Sequence, residues 1–446
     1  MIAASIVCGI GEHMNLSEEI RERAVLVGID RPDSPWPVES SLAELARLVD
    51  TAGADVVAQT YQKLQSPNPR TFVGSGKAEE IADMARSYAA DLVVFDDELT
   101  PSQQSNLEKV VGRDVKVIDR TALILDIFAL HATSKEGCLQ VRLAQNQYLY
   151  PRLRGMWAHL ASNKMGGGVG SRFGEGESQL EVDRRIIRNR ITSIKRELKH
   201  VSKVRSVQRT RRLSSGTFRI SLAGYTNAGK SSLLNALTDA DVLSYDKLFA
   251  TLDSTTRKLK LPEGREVTLT DTVGFIRKLP HDLIDAFKST LDEVRDADLV
   301  LHVIDASSEE LDYQMRAVND VLAQIGADGI AKVLVFNKID LCDSDRIDVL
   351  KSTYTDSVFV SAYEGSGLDN LVQRISDAAA SGEQALNVLV PYSRGDVSAL
   401  AHKYCRIESE EHTEDGSRLL VLVPKELVHR FEPFLVVPKQ KEPWED

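Results

Sequence analysis

Short apolar runs alternate with stretches of helical periodicity over the first 133 residues of the chain. Strands that alternate with helices are typical of a mostly parallel sheet. We therefore predict an N-terminal α/β domain over residues 1–133. The strand-like runs are 25–30, 56–61, 92–96 and 115–118, and the helical patterns between them are 41–53 and 77–90.

Residues 134–213 follow a different pattern, in which two helical stretches flank a glycine-rich run. The first stretch is 138–150, and the run MGGGVGSRFGEGES at 165–178 contains six glycines, too many for a stable helix. From Leu180 to about Arg212 the pattern is helical again, with apolar residues at alternating steps of four and three. We predict a helical hairpin in which the 138–150 helix covers this apolar seam. The seam consists of Ile187, Ile191, Ile194, Leu198 and Val201.

The rest of the chain divides into a larger and a smaller part. Residues 214–383 again alternate strands with helices, which predicts a second α/β domain. The remaining residues, 384–446, hold two strand-like runs and a helical pattern at 395–403. We predict a small α+β C-terminal domain from these. Its strand-like runs are Asn387–Val390 and Leu419–Val423.

Composition and charge limit the class of protein. The length of 446 residues suggests about three domains, and 42% hydrophobic with 27% charged residues is ordinary for a soluble globular protein. A formal net charge of −11 excludes a generic polyanion-binding protein. No run approaches the ~18 apolar residues of a membrane span, and no signal peptide or long coiled coil is evident. We expect a monomeric cytoplasmic protein, since widely spaced cysteines without a metal-binding pattern indicate a reducing compartment. The cysteines are Cys8, Cys138, Cys342 and Cys405.

The sequence GYTNAGKS at 224–231 lies between a strand pattern, Phe218–Ala223, and a helical pattern, and it has the GxxxxGK[ST] spacing of a phosphate-binding loop. Backbone N–H groups of such a loop surround phosphates, and the helix N-terminus adds its positive dipole end. Lys230 is expected to reach the β- and γ-phosphates, and Ser231 to bind Mg²⁺. The candidate residues are Gly224, Tyr225, Thr226, Asn227, Ala228, Gly229, Lys230, Ser231 and Ser232.

A DxxG sequence follows the next strand pattern, Glu266–Thr270, about forty residues after the phosphate loop. It is weak evidence alone and gains weight from this position. Asp271 is expected to hold Mg²⁺ through water, and the amide of Gly274 to meet the γ-phosphate. The candidate residues are Asp271, Thr272, Val273 and Gly274.

Two further elements predict which base is bound. In NKID at 337–340, a carboxylate at Asp340 can accept hydrogen bonds from N1–H and the exocyclic amine of guanine, and adenine offers neither donor there. Buried in the site, such a carboxylate would reject the wrong base strongly because its acceptors would remain unpaired. All these elements end strands, at the edge where open α/β sheets bind ligands. The sequence thus predicts a P-loop GTPase domain that binds GTP and GDP. The base-recognition candidates are Asn337, Lys338, Ile339, Asp340, Ser361 and Ala362.

The switch threonine and the water-positioning group are less well defined. Thr251, Thr255 and Thr256 could each place a hydroxyl on Mg²⁺ when the γ-phosphate is present, and spacing does not choose among them. Phe275 follows DTVG, where GTPases of the Ras type carry a glutamine that orients water. Phenylalanine cannot make that hydrogen bond, so we expect slow intrinsic hydrolysis until another group or a partner positions the water.

Several of these segments resemble the HflX family of translational GTPases. The resemblance lies in GGGVGSRFGEGESQLEVDRR at 166–185, in TFVGSGKAEEI at 71–81 and in the forms GYTNAGKS, FATLD and DTVGFI, and it extends over nearly the whole chain to residue 383. It implies a GTPase that binds the large ribosomal subunit and, in several members, splits stalled ribosomes under stress. One departure is RFGEGE at 172–177, where the family has RGPGE, and this affects the detailed contacts of the loop.

The resemblance also assigns the switch residues. It implies that the threonine on Mg²⁺ is Thr251, so that Lys230, Thr251 and Gly274 are the catalytic candidates and Ser231 and Thr251 the metal ligands. A hydrophobic residue after DTVG, here Phe275, also fits the family. The switch candidates are Phe249, Ala250, Thr251, Leu252 and Asp253.

A second glycine motif, VGSGK at 73–77, is similar to a phosphate-binding loop. Position 71 is Thr rather than Gly, so the GxxxxGK spacing fails. We interpret this motif as a turn followed by the start of a helix.

The long helical run is strongly basic. Between Arg184 and Arg212 there are twelve Lys and Arg residues and one acid, Glu197. This sign bias is too one-sided for salt bridges within the helix, and it favours phosphate contacts. Recognition by shape and phosphates suits ribosomal RNA. The candidate RNA contacts are Arg172, Arg188, Lys195 and Arg205.

Two alternatives remain beside a GTPase that acts on ribosomes. One is an RNA-binding GTPase in ribosome assembly, which would prefer precursor subunits. The other is a signalling GTPase whose helical part binds a protein, with the basic run incidental.

Overall fold

The structure, a computed structural model, describes most of the chain, and its residues fall into two compact units. The first unit is drawn from Met1–Val201, Tyr245–Asp253 and Ile276–Ser289, and the second from Ser202–Ser244, Ser254–Phe275 and Thr290–Asp446. The residues described are 21–34, 36–112, 114–153, 175–213, 217–238, 248–249, 254–278, 288–380, 383–424 and 427–436.

The N-terminal part contains a parallel four-stranded sheet with the strand order β2-β1-β3-β4. Apolar side chains at alternate positions of β1, among them Val25 and Val27, pack in one core with Ile81 of α2 and Leu107 of α3. All four predicted strands and both predicted helices are confirmed. The elements are β1 (Glu22–Asp30), α1 (Val38–Thr51), β2 (Ala54–Lys63), α2 (Ser75–Ser87), β3 (Leu92–Phe95), α3 (Pro101–Val111), β4 (Lys116–Asp119) and α4 (Arg120–His131).

The predicted helical hairpin is confirmed in its packing. Helix α5 (Lys135–Leu149) and helix α6 (Glu175–Leu213) share a core in which Leu139 and Leu143 meet Ile194. Ile191, Leu198 and Val201 pack against the same core, as the seam predicted.

The start of α6 corrects the prediction for the glycine-rich run. We expected no helix as far as Ser178, but α6 begins at Glu175. Glu175 and Glu177 lie in its first turn, where carboxylates are favoured by the helix dipole, and a single glycine such as Gly176 is tolerated.

The second α/β part is a six-stranded sheet with the order β10-β9-β8-β5-β7-β6, parallel except for β6, which runs antiparallel to β7. Its core lies between the sheet and flanking helices. The strands are β5 (Arg219–Gly224), β6 (Thr255–Lys260), β7 (Glu266–Asp271), β8 (Leu299–Asp305), β9 (Ala331–Asn337) and β10 (Ser357–Phe359). The helices are α7 (Lys230–Thr238), α8 (Lys288–Arg295), α9 (Leu311–Gln324), α10 (Ser344–Thr353) and α11 (Leu368–Ala380).

The C-terminal part is an antiparallel three-stranded sheet with the order β11-β13-β12, covered on one face by a helix. The two predicted strands and the predicted helix are present, and β12 is an addition. Its sequence, RIESEEHT, is charged and almost wholly exposed, so it lacks the apolar signal of a strand. The elements are β11 (Glu383–Val390), α12 (Gly395–Tyr404), β12 (Arg406–Thr413), β13 (Gly416–Pro424) and α13 (Val428–Phe431).

The α/β multidomain fold class is therefore confirmed, and the domain limits at 133, 213 and 383 stay predictions. Among the helices that the structure describes, none is long and apolar enough to cross a membrane.

Candidate nucleotide-binding site

Four sequence elements meet at the carboxyl edge of the six-stranded sheet. The phosphate-loop sequence follows β5, DTVG begins at the end of β7, NKID follows β9, and the Ser361–Ala362 pair follows β10. Because these four strands are parallel, their carboxyl ends lie on the same side of the sheet. The topology therefore gathers residues that lie more than a hundred positions apart in the chain.

The phosphate-loop sequence forms a tight turn that only certain residues allow. Asn227 and Gly229 have φ angles of 61° and 89°, in the left-handed region. Gly224 lies so close to β8 that a Cβ there would clash with the carbonyl oxygen of Val303. Ala228 is buried in the core below the loop, and Ser231 and Ser232 lie in the first turn of α7.

Lys230 is 6% exposed, and its ammonium donates a hydrogen bond of 2.9 Å to the carbonyl of Tyr225. Burial lowers the pKa of Lys230 to about 8, although the negative charge of Asp271 acts in the opposite direction. A buried ammonium at a loop of free N–H groups is suited to bind an anion.

DTVG lies directly against the phosphate loop. The hydroxyl of Ser231 donates a hydrogen bond of 2.6 Å to Oδ2 of Asp271. A Cβ on Gly274 would lie 2.9 Å from Cα of Thr226 and 3.0 Å from Nζ of Lys230, so this position has room only for glycine. Two neighbours hold the segment in place. They are Thr272, whose hydroxyl donates to the carbonyl of Leu222 at 2.6 Å, and Val273, which is buried.

The oxygen atoms of Ser231 and Asp271 fit a magnesium ion. Mg²⁺ prefers oxygen ligands and commonly takes one or two from the protein and the rest from phosphates and water. Within the described part of the chain, no cluster of three or more His, Cys, Asp or Glu side chains could hold a metal. A metal at this position would therefore need phosphate oxygens to complete its coordination.

Phe275 is fixed by its backbone, and its ring is 1% exposed. Its amide donates to the carbonyl of Gly224 at 3.1 Å, and its carbonyl accepts from the amide of Thr226 at 2.7 Å. The position after DTVG thus joins this segment to the phosphate loop, and its side chain belongs to the core.

The elements predicted to bind the base are linked to each other and to the phosphate loop. The amide nitrogen of Asn337 donates to the carbonyl of Ala228 at 3.0 Å, and its amide oxygen accepts from the backbone N–H of Ala362 at 3.0 Å. Lys338 has a φ of 63°, and its ammonium pairs with Asp305 at 2.8 Å. These contacts hold NKID and the following loop as one structure.

Asp340 differs from its predicted environment in one respect. We expected a buried carboxylate, but Asp340 is exposed because it lies on the single turn Ile339–Leu341 beyond the end of β9. Its Oδ1 accepts a hydrogen bond from the hydroxyl of Ser361, which is fully buried. The carboxylate is therefore oriented at the rim of the site.

The switch candidates are only partly placed by the structure. Phe249 is buried in the first compact unit, where its ring meets that of Phe128 edge to face at 4.7 Å. Thr255 and Thr256 belong to β6, and the hydroxyl of Thr256 lies 3.0 Å from that of Thr270. The remaining candidates lie outside the described residues; they are Ala250, Thr251, Leu252 and Asp253.

An ion-pair cluster that the sequence did not reveal follows DTVGF. Arg277 pairs with Glu44 at 3.0 Å, and Lys278 pairs with Asp96 at 2.6 Å. Arg120 bridges the same two carboxylates at 2.6 Å each. Burial raises the pKa of Asp96, but attraction by Arg120 and Lys278 outweighs it and leaves that pKa well below its ordinary value. The chain after Phe275 is thereby anchored in the first compact unit.

The second glycine motif behaves as predicted. Helix α2 begins at Ser75, and the amide of Gly74 donates to the side chain of Gln62 at 2.9 Å. Lys77, the lysine of the motif, pairs with Glu80 at 2.7 Å. The motif is a turn with a helix start.

The RNA-contact candidates are also partly placed. Arg188 and Lys195 are exposed on α6, and Arg188 donates to the hydroxyl of Tyr150 at 2.6 Å. Arg205 lies in the described extent of α6, and Arg172 lies outside the described residues.

Comparison with known proteins gives a consistent family. Three family models match the chain: "GTP-binding GTPase N-terminal" over residues 39–129, "GTP-binding GTPase Middle Region" over 131–212 and "50S ribosome-binding GTPase" over 219–338. The GTPase HflX of Caldanaerobacter subterraneus subsp. tengcongensis is 45% identical over 96% of this chain and 97% of its own. The GTPase HflX of Escherichia coli K12 is 45% identical over 84% of this chain and 88% of its own. This chain therefore belongs to the HflX family of GTP-hydrolysing enzymes.

Proposed function

We propose that this GTPase associates with the large ribosomal subunit through ribosomal RNA, and that it splits or rescues stalled ribosomes. The observation that carries the proposal is the exposed basic surface of α6. The family model that matches residues 219–338, with its description as a 50S ribosome-binding GTPase, supports the same partner.

The basic surface is available for a polyanion. The apolar seam of α6 packs against α5, which leaves the basic residues on the remaining faces. Neutralising phosphates with such residues releases condensed counterions, so binding should weaken steeply as salt rises. The basic residues of α6 with exposed side chains are Arg185, Arg188, Arg190, Lys195, Arg196 and Lys199.

The nucleotide site supports specific roles for its residues. Lys230 binds the β- and γ-phosphates, and the amide of Gly274 meets the γ-phosphate. Ser231 and Thr251 hold Mg²⁺, with Asp271 acting through water. When bound, the metal neutralises charge on the phosphate oxygens. The engagement of Thr256 with Thr270 supports Thr251 over Thr256 as the switch threonine.

The buried position of Phe275 supports slow hydrolysis by the isolated protein. Its ring lies in the core and carries no group that could orient water. A partner that positions the water can add ~10³–10⁵ in rate. We propose that the ribosome is this partner.

The pH dependence of nucleotide binding tests the role of Lys230. Phosphates favour the protonated ammonium, and a pKa of about 8 means that the free protein loses this proton above that pH. We expect the Kd for GDP to rise roughly fourfold between about pH 7 and about pH 8.5. Isothermal titration calorimetry at several pH values measures this. A Lys230→Arg variant, which stays charged throughout, should show no such rise, and an equally flat wild-type profile would contradict the assignment.

Sedimentation with ribosomes tests the partner. With a non-hydrolysable GTP analogue, the protein is expected to migrate with large subunits, and 70S particles should separate into subunits. Reversing three charges, by Arg188→Glu, Lys195→Glu and Arg205→Glu, should abolish comigration at moderate salt. At lower salt, the slope of log K against log salt should fall by roughly one per lost phosphate contact.

Control variants and alternative outcomes complete this experiment. Lys351→Glu and Arg430→Glu change exposed bases elsewhere and should leave comigration intact. Unchanged binding of the triple variant would disprove the role of α6. Preference for precursor subunits would instead indicate an assembly factor, and a partner retained after RNase treatment would indicate a signalling GTPase.

A further inference from the structure

The loop that starts with Ser361 is a closed, rigid turn. The amide of Ser361 donates to the carbonyl of Ser366 at 2.9 Å, and the amide of Gly365 donates back to the carbonyl of Ser361 at 2.9 Å. The amide of Glu364 also donates to the hydroxyl of Ser361 at 3.1 Å. Gly367 has a φ of 76°, and a Cβ there would clash with the carbonyl of Phe359. The path of this turn is thus fixed by its own backbone.

The turn is also joined to NKID. Asn337 accepts a hydrogen bond from the amide of Ala362, and Asp340 accepts one from the hydroxyl of Ser361. The residue between Ala362 and Glu364 is therefore held close in the chain to the proposed guanine-reading carboxylate, on a support that cannot readily move away.

That residue is Tyr363, and its side chain is 92% exposed. It is the most exposed large apolar side chain among the described residues, and Leu341, at 66%, is the second. Each directly follows a base-recognition element, Tyr363 after Ala362 and Leu341 after Asp340. Leaving an aromatic ring in water forgoes the apolar burial that such rings ordinarily gain. The coincidence of the two most exposed apolar side chains with these two elements points to a ligand that covers them.

We propose that Tyr363 packs its ring against the guanine of the bound nucleotide, with Leu341 at the edge of the same apolar surface. This inference rests on the proposed role of Asp340 and extends it. Asp340 selects the base through hydrogen bonds to its edge, whereas a ring on the face of a purine adds affinity without selecting among purines. Tyr363 is thus an affinity residue, and its loss speeds nucleotide release.

Nucleotide binding by Tyr363 variants tests this inference. Stacking of a base on an aromatic side chain implies that Tyr363→Ala weakens GDP binding roughly five- to a hundredfold. The loss should lie mainly in a faster dissociation rate. Tyr363→Phe keeps the ring and should stay within about twofold of wild type. Tyr392→Ala, at a 60% exposed tyrosine of the C-terminal sheet region, is the matched control and should not change the Kd.

Two measurements separate this inference from the assignment on which it rests. The ratio of GDP to XDP affinity should be the same in Tyr363→Ala and wild type, and Asp340→Asn should reverse it. If Asp340→Asn reverses the ratio and Tyr363→Ala leaves the Kd within twofold of wild type, the inference is wrong and the guanine site stands. If Asp340→Asn leaves the ratio unchanged, the guanine site is misassigned and the role of Tyr363 falls with it.

Discussion

Replacing Asp340 by Asn is expected to weaken GTP binding about a hundredfold or more and to make XTP the better ligand. The carboxylate of Asp340 is oriented by Ser361 at the rim of the site, and guanine presents it with two N–H donors. Hydrogen bonds to a charged acceptor are each worth about 1.5–3 kcal/mol, and a donor facing a donor adds a penalty. Xanthine carries a carbonyl where guanine carries its exocyclic amine, and the amide of an asparagine can donate to that carbonyl.

Equilibrium binding of GTP and XTP to both proteins measures this exchange. Asp345→Asn changes an exposed carboxylate on α10 and serves as the control, since its affinities should match those of the wild type. An Asp340→Asn protein that binds GTP as tightly as the wild type would falsify the assignment of NKID as the base-recognition element.

Replacing Glu44 by Ala is expected to lower the free energy of unfolding of the N-terminal part by about 3–5 kcal/mol. Glu44 is 1% exposed and pairs with both Arg120 and Arg277, each 2% exposed. Removing this carboxylate leaves two buried guanidinium groups with less negative charge to compensate them. The cost of an uncompensated buried charge exceeds anything that the small side chain could recover.

Urea unfolding followed by tryptophan fluorescence measures this loss. Trp36 is a local reporter because the guanidinium of Arg277 lies 4.2 Å from the centre of its ring, and Trp157→Phe and Trp444→Phe remove the other two tryptophans. Asp50→Ala breaks an exposed pair with Arg21, whose side chains are 40% and 66% exposed. It should cost no more than about 1 kcal/mol. Equal losses for the two variants would show that the buried cluster contributes no more than a surface pair.

The nucleotide elements could be predicted because each is a short local signal with a fixed backbone requirement. The left-handed conformations at Asn227 and Gly229 and the close approach of Gly224 to β8 follow from the GxxxxGK spacing itself. The apolar seam of α6 could be predicted for a similar reason, since the 3.6-residue period of a helix puts those residues on one face.

Other features could not be predicted because they depend on partners far away in the chain. Strand β12 has charged, exposed side chains and is a strand because its backbone pairs with β13. Arg277 and Glu44 lie more than two hundred positions apart, and no local pattern announces that they pair. The exposure of Asp340 was also mispredicted, because burial is a property of the whole fold.

The sequence alone determined that this chain has a guanine-nucleotide site of the P-loop type and an amphipathic basic helix, since both depend on residue type and spacing along a single segment. Only the tertiary structure decided which segments are joined. It placed Ser231 beside Asp271, linked NKID to the turn that carries Tyr363, and anchored the chain after Phe275 through buried ion pairs. The physical reason is that spacing acts locally through backbone geometry, whereas contacts between distant residues form only when the whole chain packs.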